Sequence, residues 1–244
     1  MNPEFRVQHS GSGGFGQFER DGFQIIHSLV GVVECERIAA ELTPLFAHQI
    51  KSATHRIGGV RNLLRTSPLV SSFANAPPIV GLLRQAAGGE VFPVRAIFFD
   101  KNPGANWLVA WHQDLAIAVT DQIETPGFGG WSVKDGMLHV HPSAEILAGM
   151  ITLRLHLDDC RASNGALRVI AGSHRSGKMP AGEVSRWTSA KTEIVCEVAK
   201  GGAVLMRPLL LHASSPAESP RHRRVLHLEY ATQKLPNGLT WFNN

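Results

Sequence analysis

The chain has 244 residues, of which 43% are hydrophobic and 18% are charged, and its formal net charge is +4. This composition excludes an intrinsically disordered protein and is typical of one globular domain with a large core. No apolar run reaches the ~20 residues that a membrane-spanning helix needs. The modest positive charge does not favour nucleic acid as a partner, because aromatic and basic side chains do not alternate in the way that stacks bases.

The first third of the chain predicts a leader followed by helices. Residues 1–17 end in a glycine- and serine-rich stretch, so we expect a flexible leader ahead of a single domain over residues 18–244. Residues 33–51 place apolar side chains on roughly one helical face, and residues 78–86 follow a proline pair, so both are predicted helices. The start lacks the basic-then-apolar layout of a secretory signal, and three scattered cysteines favour a reducing cytoplasm.

From residue 91 onwards, short apolar runs alternate with glycine, proline, asparagine and aspartate. Such punctuation predicts a mainly β protein of the α+β class, with its helices collected at one end. The predicted strands are 93–100, 107–113, 150–157, 166–170, 193–198, 203–207 and 224–231. The glycine-rich stretch 126–136 is predicted to be a long loop that lines or closes a site.

The most informative feature is the motif His112-Gln113-Asp114, followed 100 residues later by His212. Residues 107–112 are typical of a strand, and residues i and i+2 of a strand share a face. His112 and Asp114 are therefore expected to converge, while Gln113 points the other way. The strand expected just before His212 could deliver this second imidazole. Two imidazoles and one carboxylate occupy one face of an octahedral ion and leave the other face open, as in non-haem iron(II) oxygenases.

A candidate anion anchor follows the second histidine. Arg223 lies 11 residues beyond His212, at the start of a predicted strand. An arginine holds a carboxylate by two parallel hydrogen bonds, and a cosubstrate that chelates the metal and carries a distal carboxylate needs such an anchor. Arg221 and Arg224 compete for this role, and Arg223 and Arg224 are expected to face opposite sides of the strand.

Four blocks, taken in order, resemble the phytanoyl-CoA dioxygenase family of iron(II)- and 2-oxoglutarate-dependent oxygenases. They are Phe18-Glu19-Arg20-Asp21-Gly22-Phe23, Trp111-His112-Gln113-Asp114, the run from Asn164 to His174, and His212-Ala213-Ser214 with Arg223. The resemblance covers roughly residues 18–232. It implies a double-stranded β-helix core, a jelly-roll variant like that of cupins, with the N-terminal helices packed on one side.

The resemblance also implies the reaction and the roles of individual residues. It implies iron(II) held by His112, Asp114 and His212, with 2-oxoglutarate and dioxygen as cosubstrates and succinate and carbon dioxide as products. The family spacing selects Arg223 as the anchor, and Ser214 matches a position that helps to hold the distal carboxylate. Related halogenases replace the carboxylate ligand with a small residue, so Asp114 implies hydroxylation, or a desaturation or cyclisation variant.

Five further side chains are candidates for the pocket. Lys101 and Trp131 are candidate contacts of the cosubstrate, although a solvated lysine and a tryptophan in the core of a loop explain them equally well. Trp111, Gln113 and His139 are candidate contacts of the substrate.

Other polar residues are expected to serve the fold. Asn164-Gly165 predicts a tight turn with a positive φ angle. His156 and His227 are assigned to structure or solvent. Arg154 is expected to face the barrel interior, where a buried arginine needs a carboxylate partner.

Three functions remain open at this point. The first is a 2-oxoglutarate-dependent dioxygenase that hydroxylates an unactivated C–H bond of a small or medium-sized metabolite. The second is a cupin-type metalloenzyme that works without 2-oxoglutarate and would not need Arg223. The third is a non-catalytic ligand-binding module on the same scaffold. The expected partner is a small molecule rather than nucleic acid or membrane, and the oligomeric state and the choice among acyl-CoA, amino acid and natural-product substrates stay open.

Overall fold

Most of the helices precede the main strands of the chain. The structure, a computed structural model, describes residues 14–52 and 59–243. Within these residues the helices are α1 (Gly16–Asp21), α2 (Val32–Ser52), α3 (Leu63–Thr66), α4 (Pro68–Ala74), α5 (Pro77–Ala87), α6 (Ala144–Gly149) and α7 (Ala181–Ala190). The helices predicted at 33–51 and 78–86 are confirmed as α2 and α5. Helix α1 begins inside the predicted leader, of which residues 1–13 lie outside the described part of the chain.

Local sequence explains where two of the helices begin. Ser67 caps α4, because its hydroxyl accepts a hydrogen bond of 3.0 Å from the backbone N–H of Val70. Helix α5 begins with Pro77 and Pro78. The first backbone N–H groups of a helix have no hydrogen-bond partner within it, so proline, which lacks this group, is tolerated there. In the part of the chain that is described, no helix combines the length and the apolar character needed to cross a bilayer.

Within the described part of the chain, the strands form three sheets in which neighbouring strands are antiparallel. The large sheet runs from edge to edge as β1 (Phe23–Ile26), β10 (Ala203–Met206), β7 (Ile151–His156), β12 (Arg223–Ala231) and β2 (Phe92–Lys101). The second sheet runs as β3 (Val109–His112), β11 (His212–Ser214), β8 (Leu167–Val169) and β9 (Ile194–Cys196). The small sheet runs as β4 (Ile117–Val119), β6 (Met137–His141) and β5 (Gly129–Lys134).

Each of the seven predicted strands overlaps an observed one, but the small sheet was not predicted. The expectation of a long loop over residues 126–136 is largely wrong, because β5 and β6 form a hairpin there. Asp135 and Gly136 make its two-residue turn, with φ angles of 51° and 73°, and Lys134 pairs with Met137 across it. Positive φ at both central residues is the geometry that an Asp-Gly pair favours in a tight hairpin.

The large sheet is covered on both faces. Side chains that alternate along its strands, such as Phe98, Leu226 and Leu228, are fully buried in one cluster with side chains of α2, α4 and α5. The ring of Phe98 meets that of Phe46 edge to face, with centroids 6.1 Å apart. Burying one such side chain contributes ~1.5–3 kcal/mol. The predicted packing of the N-terminal helices on one side is confirmed, and the opposite face of β2, β7 and β12 borders a cavity shared with β3, β8 and β11.

Candidate metal centre and its cavity

His112, Asp114 and His212 meet between the two larger sheets. On the paired strands β3 and β11, His112 lies directly opposite His212. One ligand atom from each of the three residues lies within 4.8 Å of the other two, and each imidazole Nε2 is 3.6 Å from a different oxygen of Asp114. These separations are too long for hydrogen bonds, and they suit three ligands around one ion. The structure therefore brings the predicted ligands together, and their binding of a metal stays a prediction.

Backbone carbonyls orient both imidazoles so that they can bind a metal ion. The Nδ1 atom of His112 is 2.8 Å from the carbonyl oxygen of Ala110, and that of His212 is 2.9 Å from the carbonyl oxygen of Leu210. Because a carbonyl can only accept, Nδ1 of each ring carries the hydrogen. Nε2 of each ring therefore carries a lone pair on the side of Asp114. Histidines that bind metals use the same arrangement, in which one ring nitrogen donates to a carbonyl and the other is available to the metal.

The ionisation of His212 and Asp114 also suits a metal site. Burial lowers the pKa of His212 to about 4, so this ring stays neutral as a ligand must. Burial disfavours ionisation of Asp114, but His212 and His112 outweigh it and hold the pKa of this carboxyl well below its usual value. The Oδ2 atom of Asp114 is buried without a hydrogen-bond donor among the described residues. A cation beside it would offset the cost of that buried anionic oxygen.

Two buried cations lie at one end of the same cavity. Arg223 and Lys101 face each other across β12 and β2, and they are 3% and 1% exposed. The Lys101 Nζ atom donates to Ser214 Oγ at 2.9 Å and to the carbonyl oxygen of Ser215 at 2.6 Å. Within residues 14–52 and 59–243, neither cation has a carboxylate partner. Lys101, Ser214 and Arg223 all line the cavity, so this end is built for an anion.

The turn at Asn164-Gly165 positions the arginine of this anchor. The carbonyl oxygen of Gly165 accepts a hydrogen bond of 2.9 Å from Arg223 Nη1. The φ angle of Gly165 is 82°, so the predicted positive φ is confirmed. A Cβ atom on this residue would lie 2.5 Å from the carbonyl oxygen of Ser215 and 3.3 Å from Lys101 Nζ. Only glycine lets the turn approach the anchor this closely.

The other arginines of the basic run face away from the cavity. Arg224 holds Asp158 through Nε at 2.8 Å and Nη2 at 2.6 Å, on the opposite side of β12 from Arg223. Arg221 is exposed. Of the three competing arginines, Arg223 is the one that lines the cavity with the three candidate ligands.

The substrate role predicted for Gln113 has no support in the structure. Its amide nitrogen donates to the carbonyl oxygens of Gly177 and Leu209 at 2.8 and 2.7 Å, and its oxygen accepts from the backbone N–H of Met179 at 2.8 Å. These bonds tie β3 to the segment before α7. A buried amide that is engaged in this way supports the metal strand instead of contacting a ligand.

Three other predicted contacts also lie outside the wall of this cavity as the described residues form it. Trp111 packs in a small hydrophobic cluster, with Arg168 Cζ 5.3 Å from its ring centroid. Trp131 lies on β5 and packs on the core behind the small sheet. His139 is 1% exposed, and its Nδ1 is 2.9 Å from the carbonyl oxygen of Met137. The cosubstrate role of Trp131 and the substrate roles of Trp111 and His139 therefore have no support in this geometry.

A row of polar side chains lines the cavity wall, and of these the sequence predicted only that Arg154 faces inwards. Arg154 Nη1 is 2.8 Å from His227 Nδ1, and His227 Nε2 is 3.0 Å from Glu229 Oε1. Arg95 Nη2 donates to the same oxygen of Glu229. The expectation of a carboxylate partner for Arg154 is therefore wrong, since its partner is an imidazole. His227, which was assigned to structure or solvent, lines the cavity with the other three.

The remaining sequence blocks hold the strand that carries His212. The hydroxyl of Ser173 accepts a hydrogen bond of 2.8 Å from the backbone N–H of Leu211. The backbone N–H of the preceding Gly172 donates to the carbonyl oxygen of Asp21 at 2.8 Å. The turn around His174 therefore joins the opening helix-to-strand segment to the metal strand.

Comparison with curated proteins places a dioxygenase and a hydroxylase among the relatives. The chain is 28% identical over 170 residues to an ectoine dioxygenase of Nocardia farcinica, a match that covers 65% of this chain and 49% of the relative. It is 31% identical over 182 residues to an L-proline trans-4-hydroxylase of Streptomyces griseoviridis, covering 63% of this chain and 59% of the relative. The matches thus span about half to three fifths of these relatives' own length.

Solved structures share the fold at low sequence identity. The carbocyclase SnoK from nogalamycin biosynthesis superposes with a TM-score of 0.72 at 13% identity, covering 99% of this chain and 90% of SnoK. EctD from S. alaskensis, solved with bound Fe, gives a TM-score of 0.68 at 17% identity, covering 95% of this chain and 79% of EctD. The predicted jelly-roll core is thereby confirmed. The family described as phytanoyl-CoA dioxygenase matches residues 18–225, and the chain belongs to this family.

Proposed function

We propose that the protein is an iron(II)- and 2-oxoglutarate-dependent dioxygenase that hydroxylates a C–H bond of a small or medium-sized metabolite. The observation that carries the proposal is one cavity that holds both a two-histidine, one-carboxylate cluster and a buried cationic anchor. A metal site alone would fit many enzymes. The anchor supplies what a metal-chelating dicarboxylate needs at its far end.

The relatives support this proposal. One is named as a dioxygenase of ectoine and the other as a hydroxylase of L-proline, so both names refer to oxygenation of a small molecule. Among the solved structures, the epimerase SnoN was crystallised with Fe³⁺ and α-ketoglutarate, and EctD with Fe. Three free, buried cysteines fit a reducing compartment, so we place the enzyme in the cytoplasm.

The donor set of this chain fits iron(II). His112, Asp114 and His212 would hold the metal, and three ligands on one face of an octahedron leave positions open for a chelating cosubstrate and for dioxygen. When bound together, iron and 2-oxoglutarate supply the oxidant that hydroxylates the substrate, and they release succinate and carbon dioxide. The protein contributes the placement of the reactants and a water-poor cavity.

Residues of the chain perform that placement. The Arg223 guanidinium, Lys101 Nζ and Ser214 Oγ would share the distal carboxylate of 2-oxoglutarate, which replaces the internal contacts that they make now. Apolar side chains form part of the cavity lining, and they would limit the access of bulk water to bound reactants. They are Ile97, Phe99, Trp107, Val109 and Leu167.

Spectroscopy without oxygen tests the proposal directly. Iron(II) and then 2-oxoglutarate are added to the metal-free protein under anaerobic conditions, and a weak visible charge-transfer band is expected on chelation. Oxygen is then admitted and succinate is measured. Purified material needs metal analysis first, because nickel, copper or zinc can outcompete iron(II) for such ligands.

The two alternatives give different results in the same experiment. A cupin-type metalloenzyme that does not use 2-oxoglutarate would bind iron(II) without the charge-transfer band. A non-catalytic module would show the band and then release no succinate, even with substrate candidates present. Folded, iron-loaded protein that shows neither band nor succinate would refute the proposed function.

A further inference from the structure

The cavity has two chemically different ends. Inward-facing side chains on β12 run from Arg223 to Glu229, six residues further along the strand. At the rise of an extended strand this separates the two residues by roughly 20 Å. A five-carbon diacid held at Arg223 is much shorter than this distance. The end of the cavity near Glu229 is therefore free for a second molecule.

The hydrogen bonds at this second end have a fixed direction. A guanidinium can only donate, so Nδ1 of His227 accepts from Arg154 and Nε2 carries the ring hydrogen. That Nε2–H donates to Glu229 Oε1, which also accepts from Arg95. Both donors thus use the same carboxylate oxygen. The other oxygen, Oε2, receives no hydrogen bond from any residue that the structure describes.

The charges along this wall do not cancel. Arg95 is matched by Glu229, and Asp114 belongs to the metal. Arg154 is only 8% exposed, and its Nε atom is buried without a hydrogen-bond partner among the described residues. Burial and the charge of Arg223 lower the pKa of Arg154 to about 10, which leaves it a cation at neutral pH. A buried guanidinium without a counter-ion is costly, and a bound anion would remove that cost.

We propose that the row Arg154, His227, Glu229 and Arg95 recognises the substrate, and that the substrate is a small zwitterion. Its carboxylate would pair with Arg154, and its cationic nitrogen would donate to Glu229 Oε2. This inference rests on the proposed function, because it assumes that 2-oxoglutarate uses Arg223.

The dimensions of the cavity favour a single compact molecule that carries both charges. Arg154 and Glu229 are separated by the width of one imidazole ring, since each is hydrogen-bonded to His227. The cavity encloses about 220 Å³, which is below the ~300–1,000 Å³ of sites for drug-sized ligands. A long acyl thioester would find neither the space nor a use for the free oxygen of Glu229.

A binding experiment on the unmodified protein provides the first test. The protein is loaded with Mn(II) and 2-oxoglutarate, which prevents turnover, and binding is followed by isothermal titration calorimetry. The probes are the twenty amino acids and ectoine. Each probe that binds is compared with the acid that lacks the nitrogen and with the amine that lacks the carboxylate. We expect at least one zwitterion to bind, and each analogue to bind at least about tenfold more weakly, because each loses one charge-assisted hydrogen bond.

Two variants then assign the charges to residues. Arg154→Gln should weaken the zwitterion at least about tenfold and leave 2-oxoglutarate affinity within about twofold of wild type. Glu229→Gln should remove the preference for the zwitterion over its nitrogen-free acid. Arg84→Gln, at an exposed helix end where Arg84 pairs only with exposed Glu90, is the matched control and should change neither affinity. Circular dichroism verifies that each variant is folded, and the comparison of probes on wild type does not depend on any variant.

The outcomes separate this inference from the proposed function. If the wild type binds 2-oxoglutarate but no probe, or binds an analogue as tightly as its zwitterion, the inference is wrong and the proposed function stands. If Arg154→Gln weakens 2-oxoglutarate instead of the zwitterion, Arg154 belongs to the cosubstrate and the inference is again wrong. If the wild type does not bind 2-oxoglutarate at all, the proposed function is wrong, and the inference that rests on it is wrong with it.

Discussion

Replacement of Arg223 is the sharpest test of the cosubstrate site. The guanidinium is 3% exposed, lies opposite Lys101 and donates to the carbonyl oxygen of Gly165. On a dicarboxylate it would form two charge-assisted hydrogen bonds, each of which contributes about 1.5–3 kcal/mol. Loss of both in Arg223→Ala should therefore raise the dissociation constant of 2-oxoglutarate by at least about 100-fold. Arg223→Lys keeps the charge but loses the paired geometry, so we expect an increase of about 10- to 100-fold.

The assay is an anaerobic titration of 2-oxoglutarate into iron(II)-loaded protein, followed by the visible charge-transfer band or by calorimetry with Mn(II). Arg221→Ala is the matched control, because this exposed arginine stands in the same basic run. It should bind 2-oxoglutarate like the wild type. Iron(II) affinity should be unchanged in all three variants. A folded Arg223→Ala protein whose 2-oxoglutarate affinity stays within about twofold of wild type would refute the anchor assignment.

Four further predictions concern the metal, the turn, the pH response and the core. Asp114→Ala should lose stoichiometric metal in equilibrium dialysis with Mn(II), and full occupancy in this variant would exclude Asp114 as a ligand. Gly165→Ala, whose Cβ would lie 2.5 Å from a backbone oxygen, should weaken 2-oxoglutarate at least about tenfold; wild-type affinity would show that the turn does not hold the anchor. Burial and Arg223 lower the pKa of Lys101 to about 7, and the bound dianion favours its charged form. The affinity for 2-oxoglutarate should therefore fall as pH rises above 7, by up to about tenfold per unit, and Lys101→Met should flatten this profile. Phe98→Ala should lower the free energy of unfolding in urea by about 3–5 kcal/mol, and a loss below 1 kcal/mol would contradict its place in the core.

The sequence predicted those parts of the fold whose local pattern has one structural meaning. The apolar spacing of α2 and the proline pair of α5 leave little choice but a helix, and both helices occur where expected. The small sheet was not predicted, because the glycines in residues 126–136 favoured a loop. The pair Asp135-Gly136 was a better guide, since an Asp-Gly between two residues that pair is the usual signal of a two-residue hairpin.

The metal cluster could be predicted, and its neighbours could not, for a physical reason. The predicted strand 107–113 ends next to Asp114, and the observed strand β3 ends at His112, but the two-residue spacing was enough to predict that both side chains converge. Trp111 and Gln113 follow from the same repeat and must face the other side, where the structure places them in a hydrophobic cluster and a backbone network. Proximity in sequence to a metal ligand is therefore no evidence of contact with a substrate.

The row of polar side chains that includes His227 and Glu229 of β12 shows why buried charges are difficult to predict from one strand at a time. Even-numbered positions such as Leu226 and Leu228 are apolar, while His227 and Glu229 are polar, which is the pattern of a strand with one face in water. The helices already cover the apolar face, so the polar face must meet the second sheet instead of solvent. Arg95 stands directly opposite Glu229 on β2. Arg95 and Glu229 neutralise each other, whereas Arg154 has an imidazole and no carboxylate as its partner among the described residues. This uncompensated buried charge is why we infer that the substrate is selected here.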